Sequence, residues 1–226
     1  MAGANISVAQ RYDGTTISGG GRLRIVGQAT VAGVNRGFVY DGSTFTDIFV
    51  PGSAQTVAHD IDGSNIVGYA LIGGVFRGFL YNGSTFTDIF VPGSAGTVAY
   101  GIDGSNIVGS ASISGVQRGF LYNGSTFTDI FVPGSAQTVA YDIDGSNIVG
   151  FASIGGVQRG LLYNGSTFTD IFVLGSAQTI AYGIDGSNIV GFASIGGVRR
   201  GFLYNGSTFT DIFVPGSAQT VAYRIG

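Results

Sequence analysis

Ten charged side chains recur at a fixed spacing and are the first candidates for chemistry. They are Arg36, Arg77, Arg118, Arg159 and Arg200, each followed eleven residues later by Asp47, Asp88, Asp129, Asp170 and Asp211. Five such pairs could line equivalent clefts and bind an anionic or hydroxyl-rich ligand. The same spacing also suits a repeated ion pair or plain surface charge, and this structural reading is the favoured one.

Other candidates are weaker. His59 is the single histidine and stands where the other units have Tyr100, Tyr141, Tyr182 and Tyr223. No partner constellation lies beside it in sequence, so it reads as a tyrosine replacement rather than a base or metal ligand. Asp60-Ile61-Asp62-Gly63-Ser64-Asn65 and Asp142-Ile143-Asp144-Gly145-Ser146-Asn147 are oxygen-rich like a calcium loop. However, Gly101, Gly183 and Arg224 replace the first aspartate elsewhere and no acid closes the loop, so a hairpin turn explains it and no metal or cofactor is assigned. Asn82-Gly83-Ser84 and its copies at Asn123, Asn164 and Asn205 match a glycosylation sequon, but Asn-Gly is also what a type I′ hairpin turn demands. The Phe45, Phe86, Phe127, Phe168 and Phe209 series and the tyrosines from Tyr40 onward read as packing residues rather than sugar platforms.

Enzymatic function is not expected. Glycoside hydrolysis needs two carboxylates in different environments, whereas near-identical units give each aspartate five similar surroundings. Nucleophile elbows, phosphate-binding glycine loops and histidine-rich metal motifs are absent from the sequence.

What must position these residues follows from composition and period. All thirteen acids are aspartate and all ten bases arginine, among 226 residues of which 41 are glycine, with no cysteine. Glutamate and lysine are good helix formers, and their absence beside abundant Val, Ile, Thr and Phe argues for β structure. A net charge of −3 provides no basic face for phosphates, so nucleic acid is not an expected partner, and no apolar run is long enough for a membrane helix. Met1 to Gln10 has neither the basic nor the apolar region of a secretory signal.

Gly37, Gly78, Gly119, Gly160 and Gly201 mark five units of 41 residues. In one unit, strands are expected at Thr97–Ile102, Asn106–Ile113, Val116–Tyr122 and Thr126–Val132, with both faces of the fourth covered by neighbours. Four antiparallel strands per unit predict an all-β fold, a five-bladed β-propeller of four-stranded, 41-residue repeats. Small residues at Ala58, Ala99, Ala140, Ala181 and Ala222 suit strands near a narrow axis. An open solenoid is the rival, but it would need atypical capping units. Residues 21 to 226 form the single propeller domain, which ends on an inner strand, Thr220-Val221-Ala222-Tyr223. That strand is expected to join the three strands beginning near Arg22 in a composite blade from both termini, closing the ring. Residues 1 to 20 are then surplus, although Thr15-Thr16-Ile17-Ser18 aligns with the same inner slot.

The unit Arg118-Gly119-Phe120-Leu121-Tyr122-Asn123-Gly124, with Thr128-Asp129-Ile130, Gly134-Ser135, Ala140-Tyr141 and Ile148-Val149-Gly150, resembles the HAF repeat of bacterial, extracellular repeat proteins. Here Arg-Gly-Phe replaces the naming His-Ala-Phe triplet. The resemblance implies propeller-like repeats in an extracellular setting and no established activity. Units 103–143 and 144–184 differ at six positions, a uniformity that fits recent duplication or engineering as well as selection for five equal sites. The expected protein is therefore a monomeric, non-catalytic scaffold or binding module for an unidentified ligand, glycan or protein. The alternative is a multivalent lectin-like protein with equivalent sites between blades.

Overall fold

The computed structural model describes residues 6, 7 and 24 to 225. It contains five four-stranded antiparallel sheets, each in simple sequence order. The first holds β1 (Ile6–Ser7), β2 (Ile25–Val31), β3 (Val34–Tyr40) and β4 (Phe45–Ile48), and the second β5 (Gln55–Asp62), β6 (Asn65–Ile72), β7 (Val75–Tyr81) and β8 (Phe86–Ile89). The third holds β9 (Gly96–Asp103), β10 (Asn106–Ile113), β11 (Val116–Tyr122) and β12 (Phe127–Ile130). In the fourth are β13 (Gln137–Asp144), β14 (Asn147–Ile154), β15 (Val157–Tyr163) and β16 (Phe168–Ile171), and in the fifth β17 (Gln178–Asp185), β18 (Asn188–Ile195), β19 (Val198–Tyr204) and β20 (Phe209–Ile212).

The core lies between sheets. Val26, Val39, Ile48 and Val50 of the first unit pack with Ala58, Ile61, Ile66, Ala70 and Phe79 of the second. Residues at matching positions form the next junction. The fourth strand of each sheet is shorter than expected and in the first four sheets buries one residue, such as Ile130, while Phe127 is half-buried and Thr128 and Asp129 are exposed. As the outermost strand it meets few neighbours, so the expected burial on both faces is not observed.

Turn chemistry also departs from expectation. Asn123-Gly124-Ser125-Thr126 is a four-residue loop in which only Gly124 has positive φ. Asn123 Oδ1 accepts the Ser125 and Thr126 N–H groups, which ties the loop to its own side chain. The two-residue turn with positive φ at both positions lies instead between the second and third strands, at Ser114-Gly115 (51° and 79°).

The ends of the chain differ from the expected composite blade. β2 takes its inner partner from β1, with Ile6 opposite Ala29, the place Thr97 takes opposite Ala111 in the third sheet. The aligned Thr15–Ser18 segment lies outside the described residues. Residues 218–225 form no strand with β2. Instead the Thr220 N–H donates to Arg199 O (2.8 Å) and the Ala222 N–H to Gly191 O (3.3 Å). A Cβ on Gly201 would lie 3.5 Å from Ala222 N, as one on Gly160 would from Ala181 N, so the C-terminal segment sits on the fifth sheet as each inner strand sits on the sheet before it. Ile212 is 37% exposed, whereas Ile171 at the same place, packed against Ala181 and Ile184 of the fifth sheet, is 1% exposed.

One irregularity in the repeat gives a test. Leu174 replaces the proline found at Pro51, Pro92, Pro133 and Pro215, and it is 95% exposed. It precedes Gly175 (φ 83°) in a turn closed by Ser176 N–H to Val173 O, the setting shared by the proline-bearing copies. Leu174→Pro should therefore stabilise the protein by about 0.4–1 kcal/mol, by restricting the unfolded chain, as measured by urea denaturation. A loss of stability would contradict the equivalence of the turns.

Candidate functional site

The axis of the molecule is built by a bulge. In β5, β9, β13 and β17 the ladder with the next strand slips around His59, Tyr100, Tyr141 and Tyr182. Beside the bulge, the carbonyl two residues earlier, of Val57, Val98, Val139 or Ile180, lies against the facing glycine. A Cβ on Gly68, Gly109, Gly150 or Gly191 would lie 1.9 to 2.0 Å from that oxygen, so only glycine fits. Two successive side chains are thereby re-aimed, the aromatic toward the neighbouring sheet and the next residue toward the axis.

The aromatic positions form an arc. His59 stacks on Tyr100 with ring centroids 5.1 Å apart, and Tyr100–Tyr141, Tyr141–Tyr182 and Tyr182–Tyr223 follow at 5.2, 5.0 and 5.1 Å. His59 Nδ1 lies 2.8 Å from Ala99 O, which can only accept, so Nδ1 carries the proton. Burial pushes the His59 pKa down to about 4, against the opposing Ala99 bond and with help from the Arg224 charge. As the sequence implied, His59 stands among tyrosines.

On the axial side, the five equivalent positions are Asp60, Gly101, Asp142, Gly183 and Arg224. Asp60 and Asp142 are buried, and each accepts a backbone N–H from the following sheet, Ile102 to Asp60 (2.9 Å) and Ile184 to Asp142 (3.0 Å). Arg224 enters between them, with Nη1 2.6 Å from Asp142 Oδ1 and 3.8 Å from Asp60 Oδ2, and its Nη2 donates to Tyr100 O at 3.3 Å. Burial works against the guanidinium charge, but the two carboxylates outweigh it and raise the Arg224 pKa. Asp62, Asp103 and Asp144 likewise accept the N–H of Gly104, Gly145 and Gly186 in the next sheet. The oxygen-rich loops thus staple sheets together, and among the described residues no three His, Cys, Asp or Glu side chains converge as a metal site.

The recurring Arg and Asp candidates meet each other. Arg36 Nε donates to Asp47 Oδ1 (3.0 Å) and Oδ2 (3.1 Å), and Arg36 Nη2 bonds Asp47 as well. Arg77–Asp88, Arg118–Asp129, Arg159–Asp170 and Arg200–Asp211 repeat the pair. The guanidinium carbons also lie 3.9 to 4.3 Å from the ring centroids of Phe49, Phe90, Phe131, Phe172 and Phe213. Each pair braces the two outer strands of a sheet, and the bond to its aspartate raises each arginine pKa. Likewise Phe45 packs on Tyr40 (4.5 Å) and edges Phe38 (5.4 Å), and this contact recurs through the repeat.

Open space lies elsewhere. A cleft of about 690 Å³ opens between the second and third sheets, at the end of the molecule carrying the Asp-Gly-Ser turns. Asp62, Ser64, Asn65, Thr87, Ser105 and Tyr122 supply its polar lining, and Leu80, Ile102 and Ile107 its apolar part. The same residue types recur 41 and 82 residues on, as Asn106, Thr128 and Tyr163, then Asn147, Thr169 and Tyr204. At the first junction Arg24 replaces the asparagine and donates to Gly63 O at 2.8 Å. Sequence reasoning missed this cleft because its walls come from two units.

No family model and no curated protein matches the chain, so the HAF resemblance rests on its quoted residues alone. Solved structures do match in fold. The β-propeller domain of the Trilobed protease from Pyrococcus furiosus, described as having an open velcro topology, gives a TM-score of 0.60 at 12% identity over 84% of this chain and 63% of that one. TolB from Acinetobacter baumannii gives 0.62 at 15% identity, covering 83% and 51%. The Pyrococcus horikoshii acylaminoacyl peptidase gives 0.58 at 12%, covering 78% and 30%. The chain thus spans less than two thirds of these proteins, and at such identity the likeness concerns the fold alone. Five repeated four-stranded sheets with these neighbours make the chain an all-β, tandem-repeat β-propeller.

The half-buried histidine makes stability depend on pH. Its folded pKa, about 4, lies below the ordinary 6.5, so its contribution is full above about pH 6.5 and is lost as pH falls toward 4. His59→Tyr, which installs the residue of the other units, should show a melting-temperature advantage over the parent that grows between pH 6.5 and pH 4. A constant difference across that range would place His59 in contact with water.

Proposed function

We propose that the protein is a non-catalytic β-propeller scaffold that binds through equivalent clefts at its blade junctions. The observation that carries this reading is the cleft between the second and third sheets, whose lining is repeated at the next two junctions. Three such sites of modest affinity would act together, because linkage converts later binding events into intramolecular ones. The absence of catalysis is part of the proposal. The recurring Asp side chains are held by arginines, and the inner ones by backbone N–H groups, so neither set offers a carboxylate pair in contrasting environments at the cleft.

The lectin-like reading is the second one, favoured by the lining itself. Hydroxyl and amide groups of Ser64, Asn65, Thr87 and Tyr122 beside Leu80 and Ile107 suit a ligand with hydroxyl edges and an apolar face, as a sugar has. The paired Arg and Asp side chains fit a bracing role better than a ligand-contacting one.

For the ring, the proposal is five blades closed by a composite blade. Thr220–Tyr223 would pair with β2 in place of Ile6–Ser7 and cover Ile212. The C-terminal segment already holds an inner-strand position on the fifth sheet, which supports this closure.

A glycan array probed with the intact protein tests the function. Avid, saturable binding that falls at least tenfold in the triple variant Asn65→Ala, Asn106→Ala, Asn147→Ala is the expected result. Silence across the array removes the lectin reading, and binding untouched by the triple variant removes the junction clefts.

A further inference from the structure

Five inner-strand positions converge on the axis, yet their residues are unequal: two carboxylates, two glycines and one guanidinium. The glycines are sterically fixed. A Cβ on Gly101 would lie 2.9 Å from Tyr141 O and 3.0 Å from Asp142 Cα, and one on Gly183 would meet Tyr223 O and Arg224 Cα at the same distances. Asp60 is fully buried and Asp142 is 3% exposed, and both present an oxygen to the same guanidinium nitrogen. The third contact, Tyr100 O, is an acceptor too. These three polar groups around the guanidinium are all acceptors, in a space of low dielectric where an unmatched cation would be costly.

The occupant comes from the C-terminal segment, which also packs Val221 and Tyr223 against the fifth sheet. Residues 218–225 make two backbone hydrogen bonds to the fifth sheet, and Val214 and Tyr223 are 57% and 61% exposed. Arg224 lies in a half-buried segment, its side chain 19% exposed, and its seat is formed by Asp60, Tyr100 and Asp142 from three different sheets. The seat is built by the second, third and fourth sheets and filled from the C-terminal segment.

We propose that Asp60, Asp142 and the Tyr100 carbonyl form an axial binding site for a guanidinium group, which the chain's own Arg224 fills as a tethered ligand. A planar cation with several donors matches two carboxylates and a carbonyl better than a compact ammonium does. When the C-terminal segment withdraws, the site takes a guanidinium from another molecule, such as an arginine side chain on an extended peptide. Arg224 thereby competes with that outside ligand.

Chemical rescue tests the site. Arg224→Ala should melt roughly 10 °C below the parent, as expected for a broken buried pair in a chain of this size. Millimolar methylguanidinium should recover a substantial part of that loss, methylammonium far less, and neither should raise the parent's melting temperature. Adding Asp142→Asn to Arg224→Ala should abolish the rescue. If Arg224→Ala does not fold alone, the readout becomes its refolding yield, which should rise with methylguanidinium and not with methylammonium. Equal effects of the two cations, or rescue that survives Asp142→Asn, would overturn the proposal, as would no rescue in either readout.

Discussion

The bulge shared by β5, β9, β13 and β17 is the constraint on which the rest of the molecule depends. It drives a carbonyl to within 2.0 Å of where a side chain on Gly68, Gly109, Gly150 or Gly191 would begin. In exchange it turns one residue toward the adjacent sheet and the next toward the axis. Every other long-range feature uses that turn: the aromatic arc, the buried Asp60 and Asp142, and the seat of Arg224.

Around this constraint the repeat separates its polar groups by task. Buried threonines at positions 56, 97, 138 and 179 tie each Pro-Gly or Leu-Gly loop to the inner strand through bonds such as Val132 N–H to Thr138 Oγ1 (3.1 Å). Aspartates at the strand ends join neighbouring sheets through backbone N–H groups. Arginine–aspartate pairs brace the outer strands over a phenylalanine. These groups each find a partner within the fold.

Much of the fold was legible in the sequence, because a 41-residue period and β-branched strands between glycine turns are local signals. The strands Asn106–Ile113 and Val116–Tyr122 match the expected bounds. What escaped depends on neighbours. Asn-Gly suggested a type I′ turn, but the two residues after it lengthen the loop, and Asn123 caps it through its side chain. Nothing local marks Tyr100 as bulged, although the invariant glycine of each Ile-Val-Gly segment was the available trace. The Arg–Asp series was visible while its mutual pairing needed the register of adjacent strands, and the cleft needed two units at once. Arg224 read only as a replacement of the first loop aspartate, because its partners lie 164 and 82 residues away in sequence.

The bulge account is tested most directly by comparing two alanine substitutions in urea denaturation. A Cβ on Gly150 would lie 1.9 Å from Val139 O, whereas one on Gly96 would find its nearest neighbour, Phe76 O, at 3.5 Å. Gly150→Ala should cost several kcal/mol, on the order of the largest effects of single substitutions, or prevent folding, while Gly96→Ala should stay within about 1 kcal/mol of the parent. Comparable stability of the two variants would contradict the claim that a glycine-dependent bulge organises the axis.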